Sequence, residues 1–335
     1  MAPAEIEAVP RPGADPDPGL LVAAFYRFAA LQDPPVLRRG LLKLATARAV
    51  RGTILLAPEG VNGTICGPDA GVEAVLQHLR KRAGLERLEV RFSRAGQQAF
   101  HRLKVRLKRE IVTLGLPSVQ PYLASSLGTH VPPREWDALI RDPGTLVVDT
   151  RNAYEVAIGS FEGAIDPGTD SFRDFPVWVE RQLRPLVEQC RPRAIALFCT
   201  GGIRCEKATA YLQQQGFEGV HHLQGGILRY LEEIPEERSS WRGECFVFDQ
   251  RVALKHRLEA GEHSLCHACG LPLSASDRQL ESYVEGVSCR HCLDRFSEAD
   301  RQRFGERQRQ LERARCRGAA HLGAVMPSAH AAADG

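Results

Sequence analysis

The sequence predicts an α/β chain of three modules: an N-terminal ferredoxin-like α+β sandwich, a central parallel-sheet α/β domain, and a small cysteine-rich C-terminal region. Residues 21–120 read strand, helix, two strands, helix, strand; residues 133–240 alternate apolar runs with helical stretches; and two Cys-x-x-Cys pairs follow. At 335 residues the chain is too long for one core. With 43% hydrophobic and 25% charged residues it has the balance of a folded protein, not of a mainly disordered one. The expected boundaries are a disordered tail at 1–19, a basic domain at 20–118, the parallel-sheet domain at 130–240, the cysteine-rich region with a charged helix at 241–316, and a second disordered tail at 317–335.

In the first module, LVAAFYRF from Leu21 is a strand, Pro35 to Val50 a helix, and GTILLA a strand. A further apolar run, GTIC, follows Pro58 to Asn62, and Asn62-Gly63 reads as a turn between apolar runs. Gly71 to Arg82 is helical, and strands are expected near Leu88 to Phe92 and Leu103 to Thr113. Gly60, Gly63 and Gly67 are expected as hairpin glycines, because no G-x-G precedes a helix as a dinucleotide site requires.

Charge is unevenly spread. The chain carries a net +3, yet residues 21–120 hold 17 Lys/Arg against 7 Asp/Glu, so the rest of the chain is net negative. A cationic field confined to one module suggests a polyanionic partner, nucleic acid before anionic membrane. Arg102, Lys104, Arg106 and Lys108 alternate with Leu103, Val105 and Leu107, the period of a half-buried strand, and Arg109 extends the run. Two strand residues advance about 6.7 Å, comparable to the step between phosphates of a single strand. These five residues are the expected nucleic-acid contacts, with a solvated strand face as the alternative.

In the second module Trp136, Leu139 and Ile140 mark a helix, and Thr145 to Asp149 a buried strand ending in an acid. A helix from about Phe172 to Gln189 precedes the strand Ala194 to Phe198. A helix from Cys205 to Gln215, a strand from Gly219 to Leu223 and a helix from Gly226 complete the alternation, so the working loops lie at the strand C-terminal ends. One such loop is Cys199-Thr200-Gly201-Gly202-Ile203-Arg204. Its amides can converge at a helix N-terminus, and with Arg204 they favour the thiolate of Cys199. Cys205 is a competing nucleophile, placed in the first helical turn as a neighbour or resolving thiol. His221-His222 cannot present both rings to one face of a strand, and no two-His-one-carboxylate iron site is evident.

This loop resembles the C-x-x-G-x-R loop of the rhodanese superfamily. Asp149-Thr-Arg151, Glu155 and Gly159 to Ile165 are similar to that family's upstream stretch, with Ser160 where a His is usual. Asp149 and Arg151 are expected to support the loop. The six-residue loop matches sulfur-handling members, whereas phosphatase-type loops are one residue longer. Together CTGGIRCEKATAYL, LQGGILRYLEEI, WRGECFVFDQRVAL, GVNGTICG and RLKVRLKREIVTLG resemble the tRNA uridine(34) hydroxylases over roughly Leu21 to Cys292. The resemblance implies an acylphosphatase-like N-terminal domain joined to a rhodanese domain. It implies oxygen-dependent formation of 5-hydroxyuridine at the wobble position, with Cys199 as a persulfide-type catalytic residue and the tRNA anticodon arm as partner. O2 is then a co-substrate, and the electron donor is left open. A thiosulfate-type sulfurtransferase forming a persulfide on Cys199 is the alternative enzyme, and an RNA-binding zinc protein with a vestigial loop the non-enzymatic one.

Cys266-x-x-Cys269 and Cys289-x-x-Cys292 are spaced as two knuckles that supply four thiolates to a structural zinc. Four separate thiols or two redox pairs are the alternative, and His263, His267 or His291 could substitute as ligands. Residues 297–315 have helix-forming composition and mixed charge, read as a solvated helix or as an accessory RNA contact. No run approaches the roughly 18 apolar residues of a membrane helix, and the N-terminus lacks the blocks of a signal peptide. A cytoplasmic location without a membrane or dedicated protein partner is expected.

Overall fold

A computed structural model of the chain describes residues 19–123 and 128–317. The tails expected at 1–19 and 317–335 lie outside the described residues, apart from Gly19 and Arg317 themselves.

The N-terminal module runs β1 (Leu20–Phe28), α1 (Pro34–Ala47), β2 (Arg51–Ala57), β3 (Gly60–Gly67), α2 (Asp69–Arg80), β4 (Glu89–Ala95) and β5 (Leu103–Leu107). Its five-stranded sheet has the order β4-β1-β3-β2-β5, with β5 added parallel to β2 at the edge and the other pairs antiparallel. Alternation along the strands puts Ala23, Phe25, Ile54, Leu56, Ile65 and Val105 on one face, in a core with Leu37 and Leu41 of α1 and Val72, Val75 and Leu76 of α2.

Three sequence expectations do not hold. Asn62-Gly63 is not a turn: both residues lie within β3, opposite Tyr26 and Phe25, and the hairpin turns at Pro58 and Glu59. Gly63 is needed for packing, because a Cβ there would sit 2.8 Å from the Phe25 ring and from the Thr53 carbonyl. Of the three glycines expected at the hairpin, only Gly60 is there; Gly67 ends β3. The last strand also stops at Leu107, since Glu110 turns inward to be buried.

After β6 (Thr129–Val131), a short strand that carries no sequence signal, come α3 (Pro133–Ile140), β7 (Thr145–Asp149), α4 (Ala153–Val156) and β8 (Gly159–Phe161). The expected helix over 172–189 is present in pieces. A 3-10 turn (Phe172–Asp174) leads to α5 (Phe175–Trp178), a π-turn (Val179–Leu183) and α6 (Arg184–Cys190). Pro185 lacks the amide that an α-helix needs at that point, which accounts for the widened turn before it. Then follow β9 (Ala194–Phe198), α7 (Ile203–Gln214), β10 (Val220–Leu223) and α8 (Gly226–Glu233). The parallel sheet has the order β6-β10-β9-β7.

The C-terminal region is a chain of short pairs: β11 (Trp241–Gly243) on β8, β12 (Cys245–Phe246) with β13 (Ala253–Leu254), and β14 (Ser264–Leu265) with β15 (Pro272–Leu273). It ends in α9 (Glu298–Cys316), whose N-cap Ser297 forms a capping box with Asp300.

Candidate active site at the Cys199 loop

Every residue of β9 is buried, and Cys199, which follows its last residue, is itself 0% exposed. Gly202 adopts φ +100°, open chiefly to glycine, and its amide donates to Cys199 Sγ at 3.1 Å. Helix α7 begins at Ile203, so Arg204 stands in its first turn beside Cys205. Burial alone pushes the Cys199 thiol up, but the Cys205 thiol, the Arg204 charge and the amides of Cys205 and Gly202 outweigh it and hold the group at about 6. Cys205 moves the opposite way, well above an ordinary thiol, through burial and its bond to Cys199. Cys205 therefore stays a thiol while Cys199 ionises.

Behind the loop lies a buried ion-pair frame. Arg204 bonds both carboxylate oxygens of Glu155 at 2.7 Å and reaches Thr200 Oγ1 at 3.3 Å. Arg151 bonds Asp149 through Nε (2.9 Å) and Nη2 (2.6 Å), donates to the Gly159 and Glu155 carbonyls, and stacks over Trp241. Ser160, standing where the resemblance leads one to expect His, donates to Asp149 Oδ2 at 3.0 Å. Each charge in this frame is satisfied bidentately, as burial demands.

The N-terminal module contributes groups that the sequence did not reveal. The Tyr26 hydroxyl donates to Glu206 Oε1 at 2.7 Å and lies 2.9 Å from where a Cβ on Gly202 would be. Burial, offset in part by this Tyr26 bond, raises Glu206 to about 7. Lys207, 0% exposed, bonds Glu59 at 2.8 and 2.9 Å and Glu110 at 3.0 Å. The available signal was the pair Glu206-Lys207 next to the apolar run Ala208 to Leu212, together with Glu59 and Glu110, two of only seven acids in a basic module.

Arg102, Lys104, Arg106, Lys108 and Arg109 are all exposed on or beside β5, and none forms an ion pair with a described residue. Glu110, the next residue, is the one that reaches Lys207, so the basic run leads directly to the domain contact. His222 is buried on one face of β10 against His130 and Thr209, and His221 points the other way.

The four sulfurs of Cys266, Cys269, Cys289 and Cys292 lie within 4.8 Å of one another. Neighbouring sulfurs are 3.7 to 3.9 Å apart, close to the roughly 3.8 Å edge of a tetrahedron with 2.3 Å zinc–sulfur bonds. The donor set fits a metal such as zinc. The cluster is all cysteine, and His263 is instead engaged with Glu244 at 2.7 Å.

The fold and loop define a two-domain rhodanese-type protein. Residues 20–111 match the UPF0176 acylphosphatase-like domain and residues 132–233 the rhodanese-like domain. A tRNA uridine(34) hydroxylase of Parasynechococcus marenigrum (strain WH8102) is 61% identical over 307 residues, covering 89% of this chain and 95% of the relative. One from Mesorhizobium japonicum is 53% identical, covering 90% and 96%. The chain belongs to the tRNA uridine(34) hydroxylase family. Among solved structures, a rhodanese-related protein from Thermoplasma volcanium aligns at 21% identity and TM-score 0.25, covering 31% of this chain and 92% of that one. An acylphosphatase from Coxiella burnetii aligns at 14% and 0.21, covering 26% and 94%.

Proposed function

We propose that this chain is a cytoplasmic enzyme that hydroxylates uridine 34 of tRNA to 5-hydroxyuridine, with Cys199 as its reacting sulfur. The observation that carries the reading is a buried sulfur held near pKa 6 at the end of β9, in a loop of sulfur-handling size. The conversion replaces C5–H by C5–OH; O2 supplies one oxygen atom, and a two-electron donor takes the other to water.

The residues divide the work. Thr200, Gly201, Gly202 and Ile203 form the turn that aims amides at the sulfur, and Arg204 supplies positive charge that Glu155 keeps in place. Asp149 and Arg151 anchor the segment behind it. Arg102, Lys104, Arg106, Lys108 and Arg109 hold the phosphates of the anticodon arm, a contact that stands on charge and needs no base reading. Cys266, Cys269, Cys289 and Cys292 would hold zinc, which supplies folding energy to a region with little core and leaves no open position for chemistry.

A deletion strain complemented with the wild-type gene should regain 5-hydroxyuridine in digested tRNA, read by nucleoside mass spectrometry, and one carrying Cys199→Ala should not. Equal restoration by both would remove Cys199 from the chemistry. Thiosulfate turnover to thiocyanate without any tRNA binding would favour the sulfurtransferase reading instead.

A further inference from the structure

The five-stranded sheet has a second face, away from α1 and α2. Two cross-strand rows occupy its middle: Glu89, Tyr26, Asn62, Leu55, Arg106 in one, and Arg91, Ala24, Thr64, Thr53, Lys104 in the other. Because side chains alternate along each strand, all ten point to the same side.

The ends of this face are closed. Val22, Cys66, Ala95 and Ala99 seal one end, and Tyr26, Phe28, Ala57 and Ile111, joined by Ile203 of α7, seal the other. Between them Ala24, Thr53, Leu55, Asn62 and Thr64 remain half-exposed although they lie on the three central strands. The result is a trough with a floor of short side chains. It spans five strands, about 19 Å at 4.7–4.9 Å per strand gap.

Its rims are cationic. Exposed Lys104 and Arg106, with Arg102 beyond, line the β5 side, and Arg91, 3.8 Å from Glu232 of α8, lines the β4 side. Glu89 is the one acid in the two rows. Arg91 also leads to the reacting loop: its Nη2 lies 2.6 Å from where a Cβ on Gly225 would be, and a Cβ on the adjacent Gly226 would meet the Cys199 carbonyl. Tyr26 is the one aromatic residue in the rows, and its hydroxyl rests on Gly202. The sealed, aromatic end of the trough thus packs against the loop that carries Cys199.

Short side chains between two basic rims suit a strand that lays bases on the floor and phosphates on the rims. A protein partner would need apolar anchors or acids to match, and the floor offers neither pocket nor bulk.

We propose that this trough is the docking floor for single-stranded RNA. About three nucleotides cross Ala24, Thr53 and Thr64, their phosphates rest on Lys104 and Arg106 at the β5 rim, and Arg91 marks the rim nearer the Cys199 loop. The inference deepens the tRNA reading and rests on it for the identity of the RNA.

The test is fluorescence anisotropy with a labelled, unmodified anticodon stem–loop RNA and the full chain. Thr64→Glu and Thr53→Glu, which set a negative charge among the phosphates, weaken binding about tenfold, and Thr64→Lys tightens it. Gln77→Glu, exposed on α2 at the opposite side, leaves it unchanged. The opposed signs of Thr64→Glu and Thr64→Lys separate docking from damage to the fold. If the wild-type protein binds the RNA and both Thr64 variants bind equally well, the floor is wrong and the tRNA reading stands. If the wild-type protein does not bind, both fall.

Discussion

Cys199 shows how far a single side chain is governed by its surroundings. Its amide and thiol donors and the Arg204 charge overcome complete burial, so a group that burial alone would keep neutral becomes an anion at neutral pH. Subtracting the 240 nm pH titration of Cys199→Ser from that of the wild-type protein should isolate this thiolate, with a midpoint near 6. Arg204→Lys loses the two-pronged bond to Glu155, and the midpoint should then move up toward the ordinary thiol range; an unchanged midpoint would show that Arg204 does not hold the charge. Since the folded group is depressed, its contribution to stability is present above the unfolded thiol value, roughly 8.5, and is lost as pH falls through about 6. The Cys, the Gly pair and the Arg were legible in sequence, because a strand followed by a glycine turn and a helix start specifies that local geometry. Tyr26 was not: it meets Glu206 across 180 residues.

At the scale of elements, α7 does two jobs. Its first turn carries the loop residues, and its next turn carries Lys207 into the contact with Glu59 of the β2–β3 hairpin and Glu110 after β5. Lys207→Met removes the one cation and leaves two buried carboxylates unpaired, which should cost about 3–5 kcal/mol in urea unfolding. Adding Glu59→Gln and Glu110→Gln should recover part of that loss, because the uncompensated charge is gone; a single variant as stable as the wild type would show that the contact contributes nothing. Strand and helix positions were largely readable from apolar period. The failures have local causes: Asn62-Gly63 carries turn chemistry but is spent on a close approach to Phe25, and three-residue β6 is too short to show alternation.

At the scale of the whole molecule, three modules meet around one sheet. Arg251 of the C-terminal region bonds Ser93 of β4 at 2.7 Å, and Gln250 bonds the Ala99 carbonyl at 3.0 Å. Helix α9 closes over the cysteine cluster through Arg307 to the His267 carbonyl and Gln308 to Glu285. Purified protein should carry stoichiometric zinc by elemental analysis, and stripping it with a chelator should open residues 264–296 to limited proteolysis while the Cys199 titration is retained. Metal-free protein equally resistant to protease would refute the structural role. Among the described residues no helix is long and apolar enough to cross a membrane.

By itself the sequence determined the three modules, the glycine-rich loop at Cys199, the cysteine quartet and the basic edge strand, since each is written in short-range spacing that backbone geometry translates directly. Only the tertiary structure decided that the basic module faces the loop, that Tyr26 roofs Gly202, and that Lys207 is locked between two glutamates. Those contacts join residues from 97 to 180 positions apart. They depend on which faces two separate cores leave uncovered, and no local pattern encodes that.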